Sequence, residues 1–174
     1  YGMEVLFQKK RGSTAGWIGY TLSWSNRQFD DLNSGEWFPF TYDRRHDVSV
    51  VLTQDINETW SASAAWVYGT GRAVTLTESI YNGVEFGSLA APSYEVPSER
   101  NAYRMSPYHR LDVSMTRVKP DTDGNRALIF SLYNAYNNLN PFFALAEEEP
   151  DGSRVIREYG LFPVIPSIAW RFHF

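Results

Sequence analysis

The chain has 174 residues, with 16 Lys+Arg against 20 Asp+Glu and a formal net charge of −4, enough for one domain or for part of a larger one. This mild acidity argues against a nucleic-acid binder, which would show a basic stripe, and the absence of cysteine excludes disulfides, thiolate metal sites and cysteine nucleophiles. No run approaches the ~18 apolar residues of a membrane-spanning helix, and no basic start leads into an apolar core as in a signal peptide. Against this polar background stands an aromatic content of 16%, with 6 Trp, 11 Tyr and 11 Phe.

Period-two alternation accounts for the aromatics, because it marks strands with one apolar and one polar face. A weak first strand is expected from Gly2 to Lys9, with Met3, Val5 and Phe7 opposite Glu4 and Gln8. Ala15 to Ser25 sets Ile18, Tyr20, Leu22 and Trp24 against Gly19, Thr21 and Ser23. His46 to Thr53 and Trp60 to Tyr68 repeat the pattern, as does Arg110 to Arg117, where Leu111, Val113 and Met115 oppose Arg110, Asp112 and Ser114. Ala127 to Tyr136 is less regular. The last stretch is the clearest: Ile168, Trp170, Phe172 and Phe174 alternate with Ser167, Ala169, Arg171 and His173. Seven strands and no helix are expected.

Connections alternate between short and long. Lys10 to Ser13, Asp55 to Glu58 and Lys119 to Asn125 are compact turns, whereas Phe29 to Arg45, Thr70 to Tyr108 and Asn137 to Pro163 are long. Loops beyond about 12–15 residues are uncommon unless they have a job, and here all the long ones fall at one end of the array. A meander of this kind is the pattern of an outer-membrane β-barrel. Trp17, Trp24, Trp60, Trp66, Tyr68, Trp170, Phe172 and Phe174 lie near strand ends, where aromatic girdles flank the apolar band of such barrels. An odd strand number leaves open edges in hydrocarbon, so the expectation is that residues 1–174 are the C-terminal part of a longer barrel.

Four segments carry a resemblance. They are Phe38-Pro39 with Tyr42-Asp43-Arg44-Arg45-His46-Asp47; Tyr108-His109-Arg110-Leu111-Asp112-Val113-Ser114; Leu132 to Phe142, through Asn134, Asn137, Asn138 and Asn140; and Pro166 to Phe174. In this order they resemble the C-terminal strands of TonB-dependent outer-membrane receptors of the type abundant in Bacteroidota. The resemblance implies an all-β fold, an antiparallel transmembrane β-barrel of which the chain supplies about seven C-terminal strands of 22. It also implies a transporter rather than an enzyme, taking up a scarce nutrient (iron chelate, vitamin, glycan or peptide) with no cofactor. The C-terminus would be periplasmic and the long loops extracellular. Implied partners are membrane lipid or lipopolysaccharide, the receptor's own plug domain and remaining strands, the TonB complex, the barrel-assembly machinery and a surface lipoprotein. The rival readings are a barrel of the same fold acting as a scaffold or surface-assembly subunit, and a soluble all-β binding module.

Candidate sites follow. Trp170, Phe172 and Phe174 are similar to the C-terminal signal read by the assembly machinery, whose logic is strand addition with pockets for alternate side chains. Asp47, Arg110, Asp112 and Arg171, with His173, share the polar phase and are expected to line the lumen, paired with one another or with a plug. Asp43, Arg44 and Arg45 sit at a loop base and could close a similar network. Tyr81, Phe86, Tyr94 and Tyr103 lie in the longest loop, a composition suited to stacking on a ligand, and binding residues concentrate on loops carried by rigid scaffolds. His46, His109 and His173 lack metal-ligand spacing. Glu147-Glu148-Glu149 before Pro150-Asp151-Gly152 is expected to be the tip of a hairpin.

Overall fold

The computed structural model describes residues 1–82, 93–97, 99–119 and 126–172, with backbone alone over 78–82 and 93–97. Strands β1 (Gly2–Lys9), β2 (Thr14–Ser23), β3 (His46–Asp55), β4 (Trp60–Gly69), β5 (Tyr108–Val118), β6 (Arg126–Tyr133) and β7 (Ile165–Phe172) form a single sheet in chain order. Every neighbouring pair is antiparallel. The sheet does not close, so β1 and β7 are its edges. Among the described residues there is no α-helix, hence none long and apolar enough to cross a membrane, which says nothing of strands.

Short connections join β1 to β2 and β3 to β4. Gly12 (φ 97°) supplies the left-handed residue of the first. In the second, the Asn57 side chain accepts hydrogen bonds from the Thr59 and Trp60 backbone N–H groups at 3.0 and 2.9 Å, an Asx turn that aims β4 back along β3. The Pro/Gly turn expected before β6 falls at 120–125, outside the described residues, and β5 and β6 pair from Val118↔Ala127 onward. The long connections are not structureless. They carry small ribbons pairing Asn26–Arg27 with Phe38–Pro39, Ala73–Val74 with Tyr103–Arg104, Thr77–Asn82 with Ser93–Pro97, and Pro141–Glu148 with Arg154–Gly160. The last is the hairpin expected around the acidic run. Its tip turns through Gly152 (φ 81°), whose N–H donates to the Glu149 carbonyl at 2.9 Å.

Register sorts the side chains, since paired residues share a face. One face runs through Met3, Val5 and Phe7; Ile18, Tyr20 and Leu22; Val48, Val50 and Leu52; Ala62, Ala64 and Trp66; Leu111, Val113 and Met115; Leu128, Phe130 and Leu132; and Ile168, Trp170 and Phe172. The other carries Glu4 and Gln8, Thr21, Asp47 and Ser49, Ser61 and Ser63, Arg110, Asp112 and Ser114, Ser131 and Tyr133, and Ser167 and Arg171, with Val51, Val67 and Ile129 interspersed. The Ser63 and Ser114 hydroxyls bond across this second face at 2.7 Å.

Among the described residues the buried hydrophobic ones are Phe38, Ala73, Leu76 and Met105, all in the long connections, and Ala127 at the short-turn end. None of them lies on the apolar face. There, Met3, Phe7, Ile18, Leu52, Met115, Phe130, Ile168, Trp170 and Phe172 are all exposed, Ile168 by 72% and Trp170 by 69%.

Three expectations are corrected. Trp17 belongs to the polar face, paired with Gln8 and Val51, and is no part of an apolar girdle. Its ring lies beside Gly19, where an added Cβ would sit 3.3 Å from Cζ3, so the glycine gap is filled from the same face. The second strand ends at Ser23 rather than Ser25. The sixth ends at Tyr133 rather than Tyr136, because Asn134 adopts φ 53° and turns the chain out of the sheet.

Candidate functional site

All three long connections leave the sheet at the same end and are tied together there by polar side chains. The Asp43 carboxylate is the centre of the first tie. Its side chain is fully buried, with Arg104 Nη2 at 2.6 Å and Arg45 Nη2 at 3.8 Å. The Ser25 N–H donates to Oδ1 at 2.7 Å, and Arg104 Nη1 donates to the carbonyls of Asp43 and Gly71 at 2.8 and 2.9 Å. Charge-assisted bonds of this number offset the desolvation of a buried carboxylate. Arg45 Nε has no hydrogen-bond partner, and its guanidinium instead lies 4.6 Å from the Trp24 ring centre.

Further ties link the same connections. Asn101, itself buried, donates from Nδ2 to the Pro39 carbonyl at 2.8 Å, and the Arg100 N–H donates to Asn33 Oδ1 at 3.0 Å. Glu158, from the last hairpin, accepts from the Tyr103 hydroxyl at 2.9 Å and the Ser106 N–H at 2.8 Å through one oxygen. Arg72 donates to the Phe142 carbonyl.

The polar face continues this network onto the strands. Arg110 meets Asp112 through Nε and Nη2 at 3.0 and 2.9 Å, and its Nη1 donates to the hydroxyls of Tyr108 and Tyr133 at 2.8 and 2.9 Å. The guanidinium also stacks on Tyr133, 4.2 Å from the ring centre. Asp47 pairs with Arg44 at 3.4 Å, and Arg44 in turn faces the Tyr108 ring at 5.9 Å. Beyond Asp112 lies an asparagine clasp. The Asp112 Oδ1 accepts from the Asn134 N–H at 2.9 Å, and the wholly buried Asn134 side chain donates to the carbonyls of Asn138 and Phe162 and accepts from the Asn138 N–H. Asn138 and Asn140 complete it through the His109 backbone.

Asp47, Arg110 and Asp112 are therefore brought into one belt. Arg171 is not. It shares the face, as its phase requires, but its partner rung is Ala127, which pairs with Val118 at the short-turn end. From Val118 to Arg110 is eight residues, about 26 Å of strand, so no pairing with Asp112 is feasible. Of the loop aromatics, Tyr103 is bonded to Glu158, Tyr81 and Tyr94 stand opposite each other in the Thr77–Asn82/Ser93–Pro97 ribbon, and Phe86 lies outside the described residues. In the C-terminal strand Trp170 and Phe172 share the apolar face with ring centres 5.6 Å apart, on an edge of the sheet as described, next to β6. Phe174 and His173 lie outside the described residues. His46 and His109 sit on the apolar face at the long-loop end, each 2.9 Å through Nδ1 from a tyrosine hydroxyl, of Tyr20 and Tyr136 respectively. Among the described residues no His/Asp/Glu group has metal-binding geometry.

At the rim, Tyr42, Arg44, Arg72, Met105, Tyr108 and Phe142 help to line a pocket of about 250 Å³. Its aromatic walls and two guanidinium groups offer stacking and positive charge. Arg104, Glu158 and the role of Asn134 had no signal in the alternation, because they act across loops far apart in sequence. The run of four asparagines from Asn134 to Asn140 was the one local hint, since Asn tolerates left-handed backbone and bonds its own neighbours.

The Tyr103–Glu158 tie is sensitive to alkali. Burial, followed by the hydrogen bond and charge of Glu158, raises the Tyr103 phenol above its ordinary range. A raised folded value means that its stabilising contribution is complete below the unfolded value of about 10 and is lost as pH climbs through the folded one. Tyr159, bonded to Glu147, is shifted the same way. In an alkaline titration of phenolate absorbance, Tyr103→Phe is expected to remove one late-titrating phenol. An unchanged late phase would show that the tie is absent in solution.

No protein-family model, curated protein or solved structure matches the chain.

Proposed function

We propose that this chain is barrel wall and extracellular loop of an outer-membrane TonB-dependent transporter, importing a scarce nutrient through a lumen lined by the polar face. The observation that carries this reading is the uncovered apolar face. Fully burying a side chain of the size found there is worth roughly 1.5–3 kcal/mol. Nine of them left in water would forgo on the order of 10 kcal/mol, as much as the whole stability of a typical domain. A soluble sandwich would lay a second layer over that face; no described element does so, and lipid would serve. Strand length is consistent: β5 has 11 residues, and at ~3.3 Å per residue with a ~45° tilt it covers roughly 26 Å, the height of a barrel's apolar band. The polar belt under tied loops supplies the wet side and a rim on which a ligand can dock.

The test is in two steps. The protein should fractionate with outer membranes and need detergent to stay monodisperse; a monodisperse chain in plain buffer would overturn the membrane assignment. Disrupting its coding sequence should then abolish growth on one scarce nutrient only in cells with a working TonB complex. Growth loss that ignores TonB would turn the assignment to a scaffold or surface-assembly subunit.

A further inference from the structure

Resting on the membrane reading, the geometry points to a phospholipid site on the apolar face, with its headgroup at the short-turn end. Arg117, Lys119 and Arg126 project from the same face of β5, the residue after it, and β6, because Arg117 pairs with Leu128 and the Lys119 N–H donates to the Arg126 carbonyl. Arg117 and Arg126 help, with Trp170 and Leu128, to line a cavity of about 530 Å³ that has no carboxylate among the described lining residues. Among the described residues no ion pair includes Arg117 or Arg126, and the Arg117 guanidinium lies 5.6 Å from the Trp60 ring centre. Two free guanidinium groups side by side suit a phosphate, which each can bind through paired N–H donors.

What selects a lipid over a free anion is the surface that continues from this cluster. The next rungs put Ala62 opposite Met115 and Ala64 opposite Val113, so β4 is low while its neighbours stand high. The result is a furrow of about 490 Å³ over Ala62 and Ala64, walled by Leu52 on one side and Met115 and Phe130 on the other. From the Arg117 rung to the Val113 rung is about 13 Å, room for a length of acyl chain running away from the cations. A phosphate at one end of an apolar trough is the shape and charge of a phospholipid, and the short-turn end is the leaflet facing the periplasm in the assignment above.

The protein in non-ionic detergent should bind phosphatidylglycerol carrying brominated acyl chains, read as quenching of tryptophan fluorescence, since Trp60 and Trp170 border the site. The double variant Arg117→Gln/Arg126→Gln is expected to raise the half-quenching concentration about tenfold, and Ala62→Leu, which fills the furrow without touching a charge, to raise it several-fold. Arg171→Gln, on the opposite face, should leave it unchanged. Unaltered quenching in both site variants would overturn the proposal while leaving the membrane reading intact, as would inorganic phosphate displacing the lipid. A protein that stays monodisperse without detergent and shows no quenching would remove both together.

Discussion

Asp43→Ala is expected to cost the fold about 3 kcal/mol, read as a fall in the urea midpoint at unchanged slope. The side chain is entirely buried while Arg104 is one-third exposed, so the loss lies at the lower end of that for breaking an enclosed pair. Two further groups are stranded, the Ser25 N–H and Arg45. Asp43→Asn should cost nearly as much, because its amide NH2 must face either the Ser25 N–H or the guanidinium donors and the negative charge is lost. The double variant with Arg104→Met should lose less than the two singles combined, since the orphaned charge goes with its partner. Strict additivity would mean that the two side chains do not meet.

Asn134 offers the second large effect and separates two causes. Its side chain makes three bonds in a site with no exposure, and its backbone is left-handed at φ 53°. Asn134→Ala removes the bonds and leaves a side chain that dislikes that backbone, for an expected loss of about 4 kcal/mol. Asn134→Gly removes the same bonds but accepts the backbone, so its loss should be about 1 kcal/mol smaller. Equal losses would assign the whole effect to hydrogen bonding. Two losses below about 1 kcal/mol would show that water replaces the clasp.

Much of the sheet was legible because alternation is a local property. Ile168, Trp170 and Phe172 declare their common face from spacing alone, and the seven strands follow in order. Rung is a different matter. Arg171 and Arg110 share a phase, yet their separation depends on where each strand begins, and that is set by turns and long-range pairing. Trp17 shows the other failure. Residue type alone makes it a girdle member, whereas its odd number in a strand whose even positions are apolar places it with Gly19 and Thr21. The end of β6 was overrun because Tyr136 continues the rhythm beyond Asn134, where the chain turns out. The loop ties were invisible for the reason that Asp43 and Arg104 are 61 residues apart.

Those ties make the three long connections a single mechanical unit. Phe38–Pro39, Tyr103–Arg104 and the hairpin ending at Gly160 are each fastened to another by a side chain that terminates on a partner's backbone or carboxylate. A force or a ligand acting on one is shared by all. Specificity built on such a platform is inherited as a set: a connection transplanted alone into a relative would arrive without the carbonyls and charges that shape it. Exchange of one connection alone is therefore expected to cost more stability than side-chain changes that leave the fastenings in place.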